Sequence, residues 1–352
     1  MVCVTCYAYH TEKKLTMPTI RDVAKLAGVA PITVSRVIND SGYVKLDTRE
    51  RVEAAIEQLG YVPNMLGQSL RFKQTMTLAV VITDITNPFW TTVTRGVEDV
   101  AQARGYSIIL CNTDEDEDKQ ELYLQMLMRR RIDGILLVPA SSAVAPVELV
   151  QKQKIPLVLM DRYVQGVDVD VVRSDTEEGA YLITSHLLSL GHRQIAMLAG
   201  PQSVSTSVDR VNGYCRALHD AGLSTSAEKI FLGEFTRETG YTMAQQVLEK
   251  SSNITALVAA NNFIAIGAMQ LFNEKNIRVP EDIAMVTVDD LPPALTINPF
   301  FTVAAQAALE MGKQATQLLL DRVSGKTNAP CQEIILPVEM IIRASSGQKI
   351  SP

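Results

Sequence analysis

Residues 19–39 read TIRDVAKLAGVAPITVSRVIN, and this stretch predicts two short helices joined by a tight turn. Thr19 and Asp22 form a capping box, in which a hydroxyl stands at the N-cap and a carboxylate follows three residues later. Apolar residues then recur at helical spacing until Gly28 ends the first helix. Pro31 suits the first turn of a second helix, which has one apolar side and one polar side. The pattern is typical of a helix-turn-helix.

A third helix is predicted immediately downstream. Residues 47–50, DTRE, form a second capping box, and apolar residues continue at helical spacing as far as Gly60. Three short helices, two tight turns and polar groups on the middle helix together predict an N-terminal, all-α DNA-binding head at residues 17–64.

Five blocks of this region resemble the head of the LacI/GalR (lactose-repressor) family of transcriptional regulators. They are TIRDVA at 19–24, AGV at 27–29, TVSRVIN at 33–39, TR at 48–49 and LGYxPN at 59–64. A bare helix-turn-helix pattern is weak evidence, whereas five blocks in the right order and spacing are specific. The resemblance implies a sequence-specific DNA-binding regulator, most often a repressor.

The resemblance also implies which residues meet DNA. Arg36 is the expected base reader, because a guanidinium can bond O6 and N7 of guanine together; the alternative is a phosphate contact. Ile32 is expected to meet a thymine methyl group. Ala30 replaces the hydroxyl usual at this N-cap, which costs about 1 kcal/mol of helix stability. The residues expected to contact DNA are Thr19, Ile20, Pro31, Ile32, Thr33, Ser35, Arg36, Asn39, Asn64 and Leu70.

Residues 63–72 resemble the hinge helix of the family, which folds when the dimer grips its operator, and we assign residues 65–76 to hinge and linker. Leu70 stands where the family has a leucine that wedges between base pairs from the minor groove. Gly67 replaces the usual alanine, and Gln68 replaces the usual arginine. We therefore predict a hinge that orders less readily, and Gly67→Ala should tighten operator binding.

Charge is divided unevenly along the chain, whose formal net charge is −6. Residues 17–76 hold eight Lys/Arg and six Asp/Glu, whereas residues 77–352 hold 23 and 32. The acidic part should repel phosphates, so we expect DNA contact to be confined to the head.

No apolar run approaches the ~18 residues of a membrane span, and no secretory signal is recognisable. We therefore expect a cytoplasmic protein without membrane contact, associated with the nucleoid when bound to its operator.

The five cysteines are odd in number and scattered, which suits a reducing cytoplasm. Cys3 and Cys6 form a lone pair with His10 as the only nearby candidate ligand, so we predict no metal site and no cofactor. Residues 1–16 are interpreted as a disordered extension, and Met17 is an alternative start.

From residue 77 onward, short β-branched runs alternate with amphipathic helices in two successive sets. This alternation predicts parallel, doubly wound sheets. The expected fold class is an all-α helix-turn-helix head followed by an α/β body of two doubly wound lobes. A cleft is expected at the carboxyl ends of the strands.

The family resemblance continues through the body, over roughly residues 18–345. It is carried by motifs such as DITNPF at 84–89, LGHR at 190–193 and VPEDI at 279–283. It implies a type I periplasmic-binding-protein fold and a homodimer formed through the body. It also implies an N-lobe at about 77–175 and 307–336, and a C-lobe at about 176–306 and 337–352.

Polar and aromatic residues at family cleft positions predict a small-molecule site between the lobes. Sugars need carboxylates and amides to grip hydroxyls, and flat aromatic faces to cover ring C–H groups. The ten candidates are Asp84, Asn87, Phe89, Trp90, Arg162, Asp175, Phe235, Asn261, Asp289 and Gln306.

The effector class follows from charge. The arginine usual a few residues before Arg210 is absent, and Asn262 replaces a usual aspartate, which argues against a sugar acid or phosphate. We favour a neutral sugar, with Arg162 as one remaining cation; the aromatic residues would also suit a nucleobase. The predicted function is a dimeric repressor that binds palindromic operator DNA under the control of a small molecule.

Two other classes of protein were weighed. A transport-type sugar-binding protein would share the body but not the head. An enzyme would need catalytic motifs, and the chain has no Walker-type phosphate loop, no G-x-S-x-G elbow and no H-E-x-x-H. We therefore predict no enzymatic activity and assign no catalytic residue.

Overall fold

The computed structural model describes residues 17–62, 74–224, 229–250, 253–291, 298–326 and 329–347. The chain divides into two units, Met1–Thr75 and Met76–Pro352. We call the first unit the head and the second the body. Within the described ranges, no helix is both long and apolar enough to cross a membrane.

The head contains the predicted helix-turn-helix. Helix α1 (Ile20–Ala27) begins after Thr19, whose backbone N–H and hydroxyl both donate to the Asp22 carboxylate, at 2.8 and 2.7 Å. It ends at Gly28, which has a left-handed φ of 67° that glycine adopts without strain. Helix α2 (Pro31–Ile38) starts with proline at its first position, where no N–H is needed.

The third helix, α3 (Leu46–Leu59), begins earlier than predicted and without a capping box. Its N-cap is Lys45, which offers no side-chain acceptor. Asp47 instead lies inside the first turn, where its carboxylate is 3.6 Å from Arg51. The prediction that residues 47–50 cap this helix was therefore wrong. The three helices pack around a small core of fully buried side chains, namely Val23, Ala24, Ala27, Val34, Val37, Val52 and Ala55.

The body contains two sheets. The described strands of the first sheet are all parallel, in the order β11-β5-β4-β3-β1-β2. Their bounds are β1 (Thr77–Ile82), β2 (Ser107–Asn112), β3 (Gly134–Leu137), β4 (Leu157–Met160), β5 (Asp170–Ser174) and β11 (Glu333–Leu336). Helices cover both faces: α4 (Pro88–Ala103) and α11 (Ala308–Val323) on one, α5 (Glu117–Arg129) and α6 (Ala145–Lys152) on the other. We call this assembly the N-lobe.

The second sheet has the order β12-β10-β9-β8-β6-β7, with only the β10–β12 pair antiparallel among its described strands. Its strands are β6 (Ile195–Ala199), β7 (Ile230–Leu232), β8 (Ala256–Ala259), β9 (Ala284–Val288), β10 (Thr302–Gln306) and β12 (Val338–Ile341). Its helices are α7 (Thr176–Ser189), α8 (Ser205–Asp220), α9 (Arg237–Lys250) and α10 (Asn262–Glu274), with a 3-10 turn at Ala344–Ser346. We call this assembly the C-lobe.

Both faces of each sheet are buried, which explains the continuous apolar strands of the sequence. In β1, Leu78, Val80 and Ile82 join the cluster under α4 and α11, whereas Ala79 and Val81 join the cluster under α5. The chain passes between the sheets three times within the described ranges: after β5, after β10 and after β11. The carboxyl ends of most strands in the two lobes therefore face one shared cleft.

Candidate functional site

A cavity of about 700 Å³, its open mouth included, lies where the carboxyl ends of the two sheets meet. This size lies within the range typical of small-ligand sites. Polar, charged and aromatic side chains from both lobes surround it. The lining residues are Asp84, Asn87, Phe89, Trp90, Asp114, Glu115, Asp161, Arg162, Thr206, Arg210, Phe235, Thr236, Asn261, Asp289 and Gln306.

The N-lobe supplies an aromatic wall through the start of α4. Asn87 is the N-cap, and its side-chain oxygen accepts the N–H of Phe89 at 3.0 Å. The helix therefore begins at Pro88, immediately after this cap. Phe89 and Trp90 stand in its first turn with their rings edge to face, 4.8 Å between centroids. The cap fixes the position of both rings at the cavity.

Hydrogen bonds join the two lobes on either side of the cavity. The side-chain amides of Asn87 and Asn262 donate to each other's oxygens, at 3.3 and 3.1 Å, and both groups are buried. On the other side, the Tyr163 hydroxyl donates to Asp209 at 3.0 Å, and the Tyr163 backbone N–H donates to Ser205 Oγ at 3.1 Å. The two lobes are thus in direct contact beside the cavity.

Arg210 is a cavity residue that the sequence analysis missed. Its Nε donates to Thr176 Oγ1 at 2.8 Å and its Nη1 to the carbonyl of Ala260 at 2.9 Å, all deeply buried. Helix α8 approaches α7 so closely that a Cβ on Gly213 would lie 2.1 Å from the carbonyl oxygen of Glu177. This close packing of α8 on α7 carries Arg210 to the cavity.

The finding corrects the charge argument made from the sequence. The absence of a cation was inferred from the residues before Arg210, but Arg210 itself supplies a positive charge from the C-lobe. The sequence feature that could have identified Arg210 is its spacing from Thr206. The two residues are four positions apart on one face of α8, and both line the cavity.

Two buried carboxylates occupy corresponding places in the two lobes. Asp161 follows β4 and Asp289 follows β9, and both have left-handed φ angles, 64° and 69°. Burial raises the pKa of Asp161 to about 6, although the positive charges of Arg210 and Arg162 oppose the shift. Burial also raises the pKa of Asp289, with Arg210 and a hydrogen bond from Gln306 opposing. Both acids favour the protonated form more than exposed carboxyl groups do.

Phe235 lies between two guanidinium groups. Its ring centroid is 5.7 Å from Cζ of Arg162 in the N-lobe and 5.8 Å from Cζ of Arg210 in the C-lobe. The position directly opposite is Gly200, where a Cβ would come within 2.2 Å of the ring. Phe235 therefore fills a space that only a glycine leaves open, and it orients two cations through its π-face.

Three buried polar atoms of the lining have no hydrogen-bond partner among the described residues: Nε of Arg162, Oδ1 of Asp161 and Oε1 of Gln306. The Nε2 of Gln306 donates to Asp289 at 2.5 Å, which leaves its oxygen free to accept. One donor and two acceptors are thus available. Buried polar groups are rarely left unpaired, so a bound molecule with hydroxyl groups would satisfy them.

Nine of the ten candidates taken from the sequence line this cavity, and Asp175 does not. Asp175 is the N-cap of α7, and its carboxylate accepts the backbone N–H of Glu178 at 3.1 Å. Its backbone N–H donates to Leu336, where the chain passes between lobes. A capping role therefore replaces the predicted ligand contact. The lining residues that the prediction omitted are Asp114, Glu115, Asp161, Thr206, Arg210 and Thr236.

In the head, the described residues that are expected to contact DNA are exposed or half-buried. Ile32 is 58% exposed, which is unusual for a large apolar side chain and fits a surface that receives a partner. Pro31 and Arg36 are exposed, and Thr33 is half-buried. Thr19 and Ile20 stand at the start of α1.

Ser35 and Asn39 are hydrogen-bonded to each other. The Asn39 amide donates to the Ser35 carbonyl at 2.7 Å and to its hydroxyl at 3.1 Å. This pair ties the end of α2 to its middle, so the two residues hold the helix surface in shape.

The remaining candidates lie outside the described residues: Asn64, Leu70 and Gly67 of the predicted hinge, and Cys3, Cys6 and His10 of the extension. Across the part of the chain that the structure describes, no group of three or more His, Cys, Asp or Glu side chains is arranged to hold a metal ion.

Comparison with protein families matches the two units separately. Residues 19–64 match the family described as bacterial regulatory proteins, lacI family. Residues 75–344 match the family described as periplasmic binding proteins and sugar binding domain of LacI family. Among curated proteins, the chain is similar to the HTH-type transcriptional repressor PurR of Vibrio atlanticus. The two are 37% identical over 311 residues, which covers 88% of this chain and 93% of the relative.

Solved structures give the same result. The chain is similar to the structure described as the transcriptional regulator CelR–cellobiose complex, with 32% sequence identity and a TM-score of 0.71. The match covers 93% of this chain and 99% of that one. The lac repressor dimer bound to operator and the anti-inducer ONPF is 27% identical with a TM-score of 0.82, covering 94% of this chain and 99% of that one. Each of these two matches covers more than nine tenths of this chain.

Proposed function

This chain belongs to the LacI family and is a ligand-controlled, DNA-binding transcriptional repressor, and we propose that its effector is a neutral sugar held between the lobes. The observation that carries the proposal is the chemical composition of the cavity. Five carboxylates and two guanidiniums line it, so acids outnumber bases. The carboxylates in excess would repel an anionic ligand, whereas the hydroxyl groups of a neutral ligand can donate hydrogen bonds to them.

Amide and aromatic groups complete the match to a sugar. The Oε1 of Gln306 and the Nε of Arg162 are unpartnered, and hydroxyl groups can both donate to the first and accept from the second. Phe89 and Trp90 form one apolar wall, which suits the C–H face of a pyranose or furanose ring. A neutral sugar uses both features together.

The comparisons support this class of ligand. The family matched by residues 75–344 is described as including the sugar-binding domain of the LacI family. The CelR structure is described as a complex with cellobiose, which is a neutral disaccharide. These ligands belong to the relatives, and we extend only their chemical class to this chain.

We further propose that the chain binds a palindromic operator as a homodimer. The similar lac repressor is described as a dimer bound to operator, and a two-fold dimer presents two heads to two half-sites. Ligand control then requires that the sugar bind one lobe arrangement more tightly than another. Because operator DNA is the partner, the site of action is the bacterial cytoplasm.

We also propose that the cavity binds its ligand without converting it. The named relatives are a transcriptional repressor and transcriptional regulators. Nuclear magnetic resonance of the sugar after long incubation with the protein should show an unchanged compound. Appearance of a product would contradict this part of the proposal.

Thermal denaturation of the full chain with a panel of compounds tests the effector class. The panel comprises glucose, ribose, cellobiose, glucuronate, glucose 6-phosphate, adenine and hypoxanthine. We expect at least one neutral sugar to raise the melting temperature of the body in a saturable way, because a ligand that binds only the folded state stabilises it. The same sugar should then change operator affinity. Stabilisation by the nucleobases or the anionic sugars alone would overturn the proposal.

A further inference from the structure

A buried ion pair forms part of the cavity wall. The guanidinium of Arg162 donates from Nη1 and Nη2 to the two carboxylate oxygens of Glu115, at 2.6 and 2.7 Å. The side chain of Arg162 is 5% exposed and that of Glu115 is 23% exposed. Such a two-pronged, shielded contact is among the stronger interactions available to side chains.

The backbone around Glu115 is held in a particular shape to make this contact. Asp114 and Glu115 both have left-handed φ angles, 55° and 60°, which cost free energy for residues other than glycine. The loop is tied down on both sides: the Thr113 N–H donates to Ile82 at 2.9 Å, and the carboxylate of Asp116 accepts the N–H of Lys119 at 2.8 Å. These contacts aim Glu115 at the end of β4.

The ion pair changes what Arg162 can offer a ligand. Nη1 also donates to the carbonyl of Pro139 at 2.8 Å, so both terminal nitrogens are occupied. Only Nε is without a partner in the described residues. Arg162 therefore keeps the N–H of Nε and the second N–H of Nη2 for a ligand, while Glu115 offsets its positive charge.

We propose that Glu115 determines the charge preference of this cavity, because it holds Arg162 as a neutral pair and so excludes anionic ligands. The inference rests on the proposed function, in which the effector is a neutral sugar. With the pair neutral, Arg210 is the only other cation among the described lining residues, and it lies near Asp161 and Asp289. Asp84 adds a further carboxylate, whereas Asp114 is paired with Lys119. A sugar phosphate or sugar acid would thus meet a negative wall. A carboxylate or phosphate that could displace Glu115 would find an ideal partner in Arg162.

The test is the substitution Glu115→Gln, which keeps the size of the side chain and removes its charge. The freed guanidinium should bind inorganic phosphate, seen as a saturable rise in the melting temperature of the full chain at neutral pH, measured from each variant's own phosphate-free value. Wild type should show no such rise. Glu117→Gln is the matched control, because Glu117 is exposed, lies in the same segment and does not line the cavity.

The double variant Glu115→Gln with Arg162→Gln separates a local from a general charge effect. If the anion binds Arg162, phosphate should no longer stabilise the double variant. Stabilisation of wild type by phosphate, no stabilisation of Glu115→Gln, or equal stabilisation of the double variant would each overturn the inference. None of these results depends on the identity of the effector, so they leave the proposed function untouched.

A second arm uses matched sugars, namely glucose, glucuronate and glucose 6-phosphate, with ribose and ribose 5-phosphate. The ratio of affinity for the anionic member to affinity for the neutral member should rise by about tenfold or more in Glu115→Gln. An unchanged ratio overturns the role of Glu115. Should Glu115→Gln fail to fold, Arg162→Gln decides instead. It leaves Glu115 uncompensated, so this variant must prefer the neutral member more strongly than wild type does, and an equal preference overturns the inference. Binding of anionic sugars alone by wild type would contradict both this inference and the proposed function.

Discussion

The head and the body place their functional residues differently with respect to solvent. In the head, the residues expected to contact DNA are exposed or half-buried, and Ile32 is 58% exposed. In the body, Arg162, Arg210, Asn261 and Asp289 line the cavity although each is at most 5% exposed. A phosphate backbone is a large partner that approaches a surface, whereas a small ligand is enclosed.

The difference has an energetic consequence. An exposed side chain contributes little to folding, so an exposed residue of α2 such as Arg36 can change with little loss of stability. A buried polar side chain is tied into hydrogen bonds that the folded body needs, so ligand contacts and stability change together. Substitution of a binding residue should therefore lower binding alone in the head, but lower both binding and stability in the body.

The largest effect is expected for Arg210→Met in the body. The substitution removes two buried, charge-assisted hydrogen bonds, to Thr176 and to the carbonyl of Ala260. It also removes the cation near Asp161 and Asp289. We expect a loss of about 3 kcal/mol in the free energy of unfolding of the body, together with loss of the effector response. Urea denaturation and ligand titration measure the two quantities.

Arg216→Met is the control for this prediction. Arg216 lies on the same helix, α8, but is partly exposed and pairs with Glu177 and Glu178 at its surface. Exposed pairs of this kind contribute at most about 1 kcal/mol, so its loss should be small. Equal destabilisation by the two substitutions would show that burial does not set the stability cost of losing an arginine on this helix.

The next effect is a pH dependence of the body. Burial raises the pKa of Asp161 from its ordinary value of 3.8 to about 6, so the folded state holds this proton more tightly than the unfolded state. The contribution of this group to stability is complete below the lower pKa and is lost as the pH rises through the higher one. Each pKa unit corresponds to about 1.4 kcal/mol, so wild type should lose about 2–3 kcal/mol relative to Asp161→Asn between these values.

Denaturation of wild type and Asp161→Asn at several pH values across this window measures the difference. Asp118→Asn serves as the control, because Asp118 is exposed at the start of α5. Parallel pH profiles for wild type and Asp161→Asn would argue against a buried, easily protonated carboxyl group at this place.

In the head, Arg36→Ala should weaken operator binding by about 1–3 kcal/mol while the melting temperature stays unchanged. Arg36 is exposed on α2, which explains the expected separation of binding from stability. Arg36→Lys tells the two kinds of contact apart, because lysine keeps the charge and loses the two-pronged geometry. Full operator affinity in Arg36→Lys would assign Arg36 to a phosphate, and a lowered melting temperature in Arg36→Ala would contradict the comparison between head and body.

The smallest effect is expected for Ala30→Ser. Ala30 is the N-cap of α2, with extended backbone angles and no side-chain cap, so a serine hydroxyl could accept an N–H of the first turn. We expect about 1 kcal/mol of added helix stability, measured as slower hydrogen exchange of the α2 amides. Ala54→Ser, at an exposed place within α3, should slow no exchange. Equal responses at the two places would rule out capping as the cause.

Much of the fold was predictable because it depends on local patterns. Thr19, Gly28 and Pro31 mark the ends of the first two helices, and short apolar runs marked most strands of the sheets. The prediction failed where two local patterns compete, as at residues 47–50, which fit a capping box but lie inside α3. The pattern is also weak at residues 170–174, where Asp170 and Arg173 interrupt the apolar run of a strand.

The cavity was predictable only in part. Asn87 and Asn261 each combine a helix N-cap with a place at a strand's carboxyl end, so position along the chain was sufficient to select them. Asp175 has the same local features, yet its carboxylate caps α7 and lies outside the cavity lining. Which capping residue also faces the cleft depends on how the lobes close.

The amino-acid sequence was sufficient to predict the helix-turn-helix, the two-lobed α/β body and the resemblance to the family, because periodicity, caps and motif spacing act over a few residues. Only the tertiary structure decided that Glu115 neutralises Arg162, that Phe235 lies between two guanidiniums, and that Arg210 reaches the cavity. Glu115 and Arg162 are 47 residues apart in sequence. Charge in a buried site is set by which side chains meet, and residues far apart in sequence meet only after the chain has folded.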